Sequence, residues 1–131
     1  MDAELPAGLS VRHPTSADHG RVLVAQERWW GGLGGADGAL QRAFLLPRLF
    51  FLHFVDTSYL VEHADGTLGA FLIGFVSQSQ PEVAYVHFAG VAPSLRRQRV
   101  AHALYDRFFD EVSARGARVV RCVTSPANTA S

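Results

Sequence analysis

The sequence predicts an α/β fold with a mixed, mostly antiparallel sheet and flanking helices. Two observations carry this prediction: apolar residues change from helical spacing to strand-like runs after Thr57, and one strand–helix–strand unit follows a tight hairpin. Hairpin strands are antiparallel, whereas strands joined through a helix are parallel. The chain has 131 residues, of which 48% are apolar, so we expect a single domain over residues 1–131.

The first half of the chain predicts one strand and two helices. Residues 9–14 favour a strand, and Thr15 and Asp18 then offer a capping residue and an acid that open a helix. This helix continues through HGRVLVAQERWW and ends at the glycines of residues 31–35. A second helical stretch, ALQRAFLLPRLFFLHF, follows, and we expect Pro47 to kink or end it.

From Thr57 onward the pattern predicts strands around one more helix. The runs TSYLVEH and LGAFLIGFVSQS flank Asp65-Gly66, which is a strong hairpin signal. EVAYVHFAGV predicts the next strand, and residues 91–115 contain an amphipathic helix that we expect to stop at Gly116. ARVVRCVT, rich in β-branched residues, predicts the last strand. The predicted order is strand, two helices, hairpin, strand, helix, strand.

Charge and cysteine content narrow the class of protein. Twelve basic and twelve acidic residues cancel, which disfavours a nucleic-acid binder, and every basic residue is an arginine, so no lysine can form a Schiff base. Cys122 is the one cysteine and lies in an apolar run, which predicts a buried strand thiol. The sequence has no signal-peptide pattern and no apolar run of about 20 residues. We therefore expect a cytoplasmic protein with no membrane partner.

Three arginines stand directly before the amphipathic helix that begins near Val100. Arg96, Arg97 and Arg99 put positive charge at a helix N-terminus, which itself favours negative charge. A bound anion would make them stabilising, because free N–H groups supply geometry and guanidinium groups supply charge. The alternative is a solvated basic turn, and charge alone does not decide between the two. The turn lacks the glycine and lysine pattern of a nucleoside-triphosphate loop.

The segment AYVHFAGVAPSLRRQRVAHALYDRFFDEVSARG resembles the GNAT superfamily of acyl-CoA-dependent N-acetyltransferases. In that family a strand ends in V-x-P, and Q/R-x-x-G-x-G/A then opens a helix with an A-L pair. The matching residues are Val91, Ala92, Pro93, Arg96, Ala101, Ala103 and Leu104. Arg99 stands where the family has a glycine. The order of elements also matches, but the sequence lacks the family's C-terminal helix and strands, so we expect a domain truncated at its C-terminus.

The resemblance implies that acetyl-CoA binds as the acyl donor, and we expect no metal. The pyrophosphate would lie on the arginine turn, held mainly by backbone N–H groups, and the pantetheine arm would add to the strand end like an extra strand. The implied residues are Ala89, Val91, Ala92, Arg96, Arg97, Gln98, Arg99, Val100, Ala101 and His102, with Asn128 and Ser131 in the tail SPANTAS.

The resemblance further implies transfer of an acetyl group to a primary amine of a small molecule, by direct attack in a ternary complex. This reaction needs a base and a donor for the oxyanion, and the N–H of Val91 is the implied donor. His87 and Glu82 are the candidate bases, Glu82 through a water, while a water relay with no single base stays open. Strand periodicity predicts that Tyr85 and His87 share a face with Ala89 and Val91.

Aromatic residues predict the acceptor site. Because neighbours on a helix diverge by about 100°, only one of Trp29 and Trp30 is expected to face the core. These two, with Phe54 and Tyr85, are the candidate substrate-binding residues, and a core position is the alternative for each. The stretch around Phe54 also offers Phe50, Phe51, His53 and Asp56. Glu27, Asp56 and Glu82 could attract an amine cation, and hydrophobic walls with so few acids favour a small or aromatic amine over a basic protein tail.

Two other functions stay open. A CoA-binding sensor or interaction domain with little or no catalysis would carry the same motif, and Arg99 in place of glycine favours it. The final predicted strand, residues 117–124, would leave apolar surface exposed if no strand follows it. We therefore also expect a homodimer.

Overall fold

A computed structural model describes residues 5–30 and 35–122, and five strands within them form one sheet. The strands are β1 (Leu9–Arg12), β2 (Tyr59–His63), β3 (Leu68–Val76), β4 (Val83–Val91) and β5 (Val119–Cys122). They lie in chain order, antiparallel from β1 to β4, with β5 parallel to β4. The predicted mixed, mostly antiparallel sheet is confirmed.

Four helices lie within the described residues and cover both faces of the sheet. They are α1 (His19–Trp29), α2 (Gly35–Leu45), α3 (Phe50–His53) and α4 (Val100–Ala114). Alternate β3 residues separate the two cores: Leu72 packs with α4, whereas Phe71 packs with Val22 of α1 and Phe51 of α3. None of the helices in this part of the chain is long and apolar enough to cross a membrane.

Local signals mark the ends of the helices as predicted. One 3-10 turn leads into α1, and Thr15 and Asp18 form a capping box around it. In this box the Asp18 carboxylate accepts a hydrogen bond from the Thr15 N–H at 2.7 Å. α2 ends two residues before Pro47, and the short α3 follows. Gly116, with φ 100°, comes just after α4, because a left-handed residue there suits glycine.

One extra residue interrupts the pairing of β3 with β4. Ile73 is opposite Phe88 and Gly74 is opposite Val86, so His87 is a β-bulge residue on β4. An inserted residue exchanges the two faces of a strand beyond that point. Odd-numbered residues of β4 therefore point to one face of the sheet before the bulge and to the other face after it.

This bulge overturns the predicted face of the candidate base. Tyr85 contacts Phe75, and His87 stacks on Phe50, so both lie on the face that carries α1 and α3. Ala89 and Val91 pack on the opposite face, in the core with α4. The prediction that the four β4 residues share a face is wrong, because the period of two does not continue through the bulge.

The predicted burial of Cys122 is also wrong within the described structure. Cys122 lies on β5 as expected, but it is exposed. Val119 and Val120 on the same strand are 43% and 36% exposed. β5 is the last described strand of the sheet, so its outer edge has no described neighbour that would cover these side chains.

Candidate active site

The turn between β4 and α4 contains two residues in the left-handed backbone region. Arg97 has φ 65° and Arg99, the residue before α4, has φ 63°. This region favours glycine and costs a residue with a side chain roughly 1–2 kcal/mol. Arg99 therefore keeps the backbone shape that suits a glycine at this position. Arg99 in place of glycine therefore does not change the backbone conformation of the turn.

The same turn presents unused backbone donors. In the described part of the chain, the N–H groups of residues 97–102 donate no hydrogen bond. The helical ladder begins at Ala103, whose N–H donates to the carbonyl oxygen of Arg99 at 3.0 Å. Successive free N–H groups at the N-terminus of a helix form an anion-binding site.

Positive side chains surround these donors. Arg96, Arg97 and Arg99 are exposed, and none of them forms an ion pair with another described residue. Gln98 is oriented differently, since its side-chain amide donates to the carbonyl oxygen of Ser94 at 3.0 Å. The turn thus combines uncompensated positive charge with free N–H groups, an arrangement that fits a phosphate or pyrophosphate.

The strand that leads into the turn offers main-chain groups at its outer edge. The N–H of Ala92 donates to the carbonyl oxygen of Gly69 at 2.8 Å and is therefore not left for a ligand. Because antiparallel pairs alternate between bonded and non-bonded residues, Gly90 also bonds toward β3, and Ala89 and Val91 point their N–H groups away from it. The described pairing of β4 with β5 stops upstream of these two residues. An extended ligand can add to this edge.

The imidazole of His87 is fixed by a main-chain contact. Its Nε2 lies in hydrogen-bond contact with the carbonyl oxygen of Leu45, at the end of α2. A carbonyl oxygen only accepts, so Nε2 carries the proton and the neutral ring keeps its lone pair on Nδ1. Phe50 stacks on the ring, with centroids 4.3 Å apart and planes 9° apart. His87 is thereby oriented as a group that can accept a proton.

The rings of Phe50 and Tyr85 contact His87 and two more rings connect these two to each other, and we call the five residues together the aromatic cluster. Its members are Phe50, Phe54, Phe75, Tyr85 and His87. Centroid distances are 5.2 Å for Phe50–Phe54, 5.2 Å for Phe54–Phe75, 5.6 Å for Phe75–Tyr85 and 6.3 Å for Tyr85–His87. The sequence predicts Phe50, Phe54 and Tyr85 as candidates for the acceptor site but misses Phe75. The place of Phe75 in the cluster depends on the register of β3 and β4, which no local signal reveals.

Both tryptophans pack against one core. Trp29 stacks on Phe71 at 5.8 Å, and Trp30 meets the same ring edge-on at 6.5 Å. The expectation that only one of them faces the core is wrong, because α1 ends at Trp29 and Trp30 leaves the helical conformation with φ −114° and ψ 23°. Trp29 also lines a cleft of about 870 Å³ between α1, the β2–β3 turn and residues 92–94, which His87 does not line.

The second candidate base stays apart from the first. Glu82 is exposed and lies one residue before β4. His87 is five positions further along the chain, roughly 16 Å away in an extended strand. Its carbonyl oxygen accepts from the N–H groups at the start of β5, at 2.7 and 3.1 Å. Two further predicted residues, Asn128 and Ser131, lie outside the described residues.

Glu27, one of the acids expected to attract an amine, is already paired. Arg42 of α2 donates to both carboxylate oxygens of Glu27 on α1, each at 2.8 Å. This guanidinium lowers the pKa of Glu27. Glu27 therefore ties α1 to α2 and offers no uncompensated charge to a substrate.

Comparison with known proteins places this geometry in a family. The sequence model of the acetyltransferase (GNAT) family matches residues 22–131. Among similar solved structures is diaminobutyrate acetyltransferase EctA from Paenibacillus lautus, in complex with its substrate L-2,4-diaminobutyric acid and coenzyme A. The TM-score is 0.73 at 29% identity, over 93% of this chain and 69% of that chain. No curated protein matches the sequence.

Two more distant structures share the fold. AAC(6')-Iy, in complex with the bisubstrate analogue CoA-S-monomethyl-acetylneamine, gives a TM-score of 0.60 at 20% identity, over 92% of this chain and 82% of that chain. The ribosomal-protein-S18-alanine N-acetyltransferase from Escherichia coli gives 0.64 at 18% identity, over 93% and 70%. At these identities the likeness concerns the fold alone.

Proposed function

Since the chain belongs to the acetyltransferase (GNAT) family and is an acyltransferase, we propose that it transfers an acetyl group from acetyl-CoA to a primary amine of a small molecule. The amine nitrogen attacks the thioester carbonyl directly in a ternary complex. The C–N bond forms, the C–S bond breaks, the amine gives its proton to a base and the thiolate takes up a proton. The similar EctA structure, which holds coenzyme A and a small diamine, supports this reaction class.

The observation that carries the proposal is the row of free N–H groups at residues 97–102. These donors and the three unpaired arginines would hold the pyrophosphate of acetyl-CoA. The left-handed Arg99 supports ordinary binding, since the turn keeps the backbone that a glycine would give it. Of the residues implied for the pantetheine arm, Ala89 and Val91 retain outward N–H groups, and the Val91 N–H would donate to the oxyanion.

We further propose His87 as the base that takes the proton from the amine. The fixed Nε2 proton leaves Nδ1 as the accepting nitrogen. Glu82, acting through a water, is the weaker candidate because it is exposed and no side-chain contact fixes it among the described residues.

Calorimetric titration with acetyl-CoA tests the cofactor site. Wild type should bind one equivalent, and ADP alone should not reproduce the affinity. Arg96→Ala should weaken binding by about 1–2 kcal/mol, roughly five- to thirtyfold, through loss of a charge-assisted contact. Arg99→Gly should weaken it less, because it keeps the left-handed backbone while losing the charge.

The matched control is Arg118→Ala, an exposed arginine beyond the opposite end of α4. Its affinity for acetyl-CoA should equal that of wild type. Equal losses of affinity in Arg118→Ala and Arg96→Ala would show that the effect comes from the overall charge and not from a contact at the turn. Absence of binding in folded wild type would refute the cofactor site.

We also propose a cytoplasmic homodimer. The exposed Val119 and Val120 on β5, with Phe109 of α4 at 41% exposure, support an apolar contact between subunits. The molar mass in solution, measured by light scattering, decides between a dimer and a monomer.

A further inference from the structure

Resting on the proposed acetyl transfer, we infer that the acceptor is a monoamine that carries a planar aromatic ring, and that the aromatic cluster binds this ring beside His87. This assignment adds Phe75 to the candidates for the acceptor site. It also separates the acceptor from diamines such as diaminobutyrate.

The first support is that much of the cluster does not belong to either hydrophobic core. Phe54, Phe75 and Tyr85 are absent from both groups of core-packing side chains, although each ring contacts another ring of the cluster. Each of the three is half-buried. Neighbouring aromatic rings at a protein surface, outside any core, mark a place where an apolar ligand can bind.

The second support is the geometry of the rings. Five pairs of rings in the cluster are tilted by 30° to 41° at centroid distances of 5.2 to 6.3 Å, whereas Phe50 and His87 stack with planes 9° apart. Aromatic rings prefer such offset or tilted contacts over direct face-to-face stacking. Another planar ring can extend this array with the same contacts, whereas an alkyl chain of similar size gains only buried area.

The third support is the absence of acidic partners at the base. Among described residues, the groups in contact with His87 are Phe50, Tyr85, Phe88 and the carbonyl oxygen of Leu45. Glu27 is neutralised by Arg42, and Asp56, which lines a small pocket with Phe54 and Phe75, shares that pocket with Arg115. A second ammonium group beside the His87 ring would lose water without gaining a carboxylate, which is unfavourable. A single amine next to Nδ1 of His87 meets no such penalty once it has given up its proton.

Initial rates with three amines at saturating acetyl-CoA test the inference. The probes are 2-phenylethylamine, n-hexylamine and L-2,4-diaminobutyrate. We expect kcat/KM for 2-phenylethylamine to exceed the other two by at least tenfold in wild type. Phe54→Leu and Phe75→Leu should each reduce the phenylethylamine-to-hexylamine ratio about fivefold, because leucine keeps the apolar contact and removes the ring.

The control is Phe44→Leu, which changes an aromatic residue of α2 that is 74% exposed and lies outside the cluster. It should leave the ratio unchanged, and all variants should keep the wild-type Kd for acetyl-CoA. Unfolding midpoints identify a variant that fails to fold. If either Phe54→Leu or Phe75→Leu fails to fold, the rates of the other variant decide the outcome.

Preference for diaminobutyrate, or an unchanged ratio in the folded cluster variants, would overturn the aromatic acceptor and leave acetyl transfer standing. Lack of turnover with all three amines and with a wider panel would instead refute the proposed function, and the inference with it.

Discussion

At the scale of single residues, the lone pair of His87 should control the rate of acetyl transfer. His87→Gln keeps a side-chain amide that can donate to the carbonyl oxygen of Leu45 but removes the basic lone pair, so kcat should drop by about 100-fold or more. Steady-state rates at saturating acetyl-CoA and amine measure this drop, and the Kd for acetyl-CoA should stay at its wild-type value. An unchanged kcat in the folded variant would move the base to Glu82 or to water.

Individual residues were predictable from the sequence where the signal is local. Arg96, Arg97 and Arg99 stand out because adjacent cations at a helix start are unfavourable without an anion. The main-chain partner of His87 is Leu45, which is 42 positions away in the chain. No local pattern can reveal a contact of that kind, so the fixed tautomer of His87 emerges only from the folded chain.

At the scale of elements, Gly74 allows α4 to approach β3 closely. A Cβ at this position would lie 2.5 Å from Cε1 of Phe108 and 3.0 Å from the carbonyl oxygen of Tyr85. Gly74→Ala should therefore lower the free energy of unfolding by about 1–3 kcal/mol through overpacking. Urea denaturation measures this change.

Gly20→Ala is the matched substitution for that experiment. Gly20 lies within α1, where a Cβ would meet nothing within 4 Å. Alanine there should raise the free energy of unfolding by about 0.5–1 kcal/mol, because it restricts the unfolded chain. A loss of stability in Gly20→Ala equal to that in Gly74→Ala would show that close packing is not the cause.

The helices and strands were predictable because capping residues, helix-breaking residues and the spacing of apolar residues are local features of the sequence. Thr15, Pro47 and Gly116 end or begin helices where the sequence indicates. The bulge at His87 has no such signature on β4 itself, and Gly74, which stands at the shift on β3, does not tell which strand carries the extra residue. It depends on how β4 pairs with β3, and for this reason the predicted faces of Ala89 and Val91 are wrong.

At the scale of the whole molecule, one ionic network links β1, α1 and β2. Arg12 donates to both carboxylate oxygens of Asp18, each at 2.9 Å, and Arg21 bridges Asp18 and Glu62, at 3.0 Å to each. Asp18 is only 3% exposed. The guanidinium groups hold the pKa of Asp18 far below its usual range and lower the pKa of Glu62.

This network predicts a loss of stability in acid. A lowered pKa in the folded state means that the unfolded chain takes up protons first, so stability is fully present above about pH 4 and declines as pH falls below it. Asp18→Asn should lower the free energy of unfolding at pH 7 by about 1.5–3 kcal/mol, and the deficit should shrink toward pH 3. Urea midpoints between pH 7 and pH 3 measure both effects.

Asp56→Asn provides the comparison, because Asp56 is an exposed acid outside the network. The free energy of unfolding of this variant should equal that of wild type from pH 7 to pH 3. A deficit in Asp18→Asn that stays constant from pH 7 to pH 3 would show that the ionised carboxylate is not the source of the stability.

The bulge at His87 has a consequence for how such an enzyme can diversify. Upstream of it, Tyr85 lies in the proposed acceptor site, and downstream of it, Ala89 and Val91 face α4 and have their outer edge at the proposed donor site. In this proposal one strand binds two ligands through two halves that can vary separately. Selection can exchange aromatic residues for acidic or small ones on the first half and acquire a new substrate, while the affinity for the shared acyl donor is inherited intact.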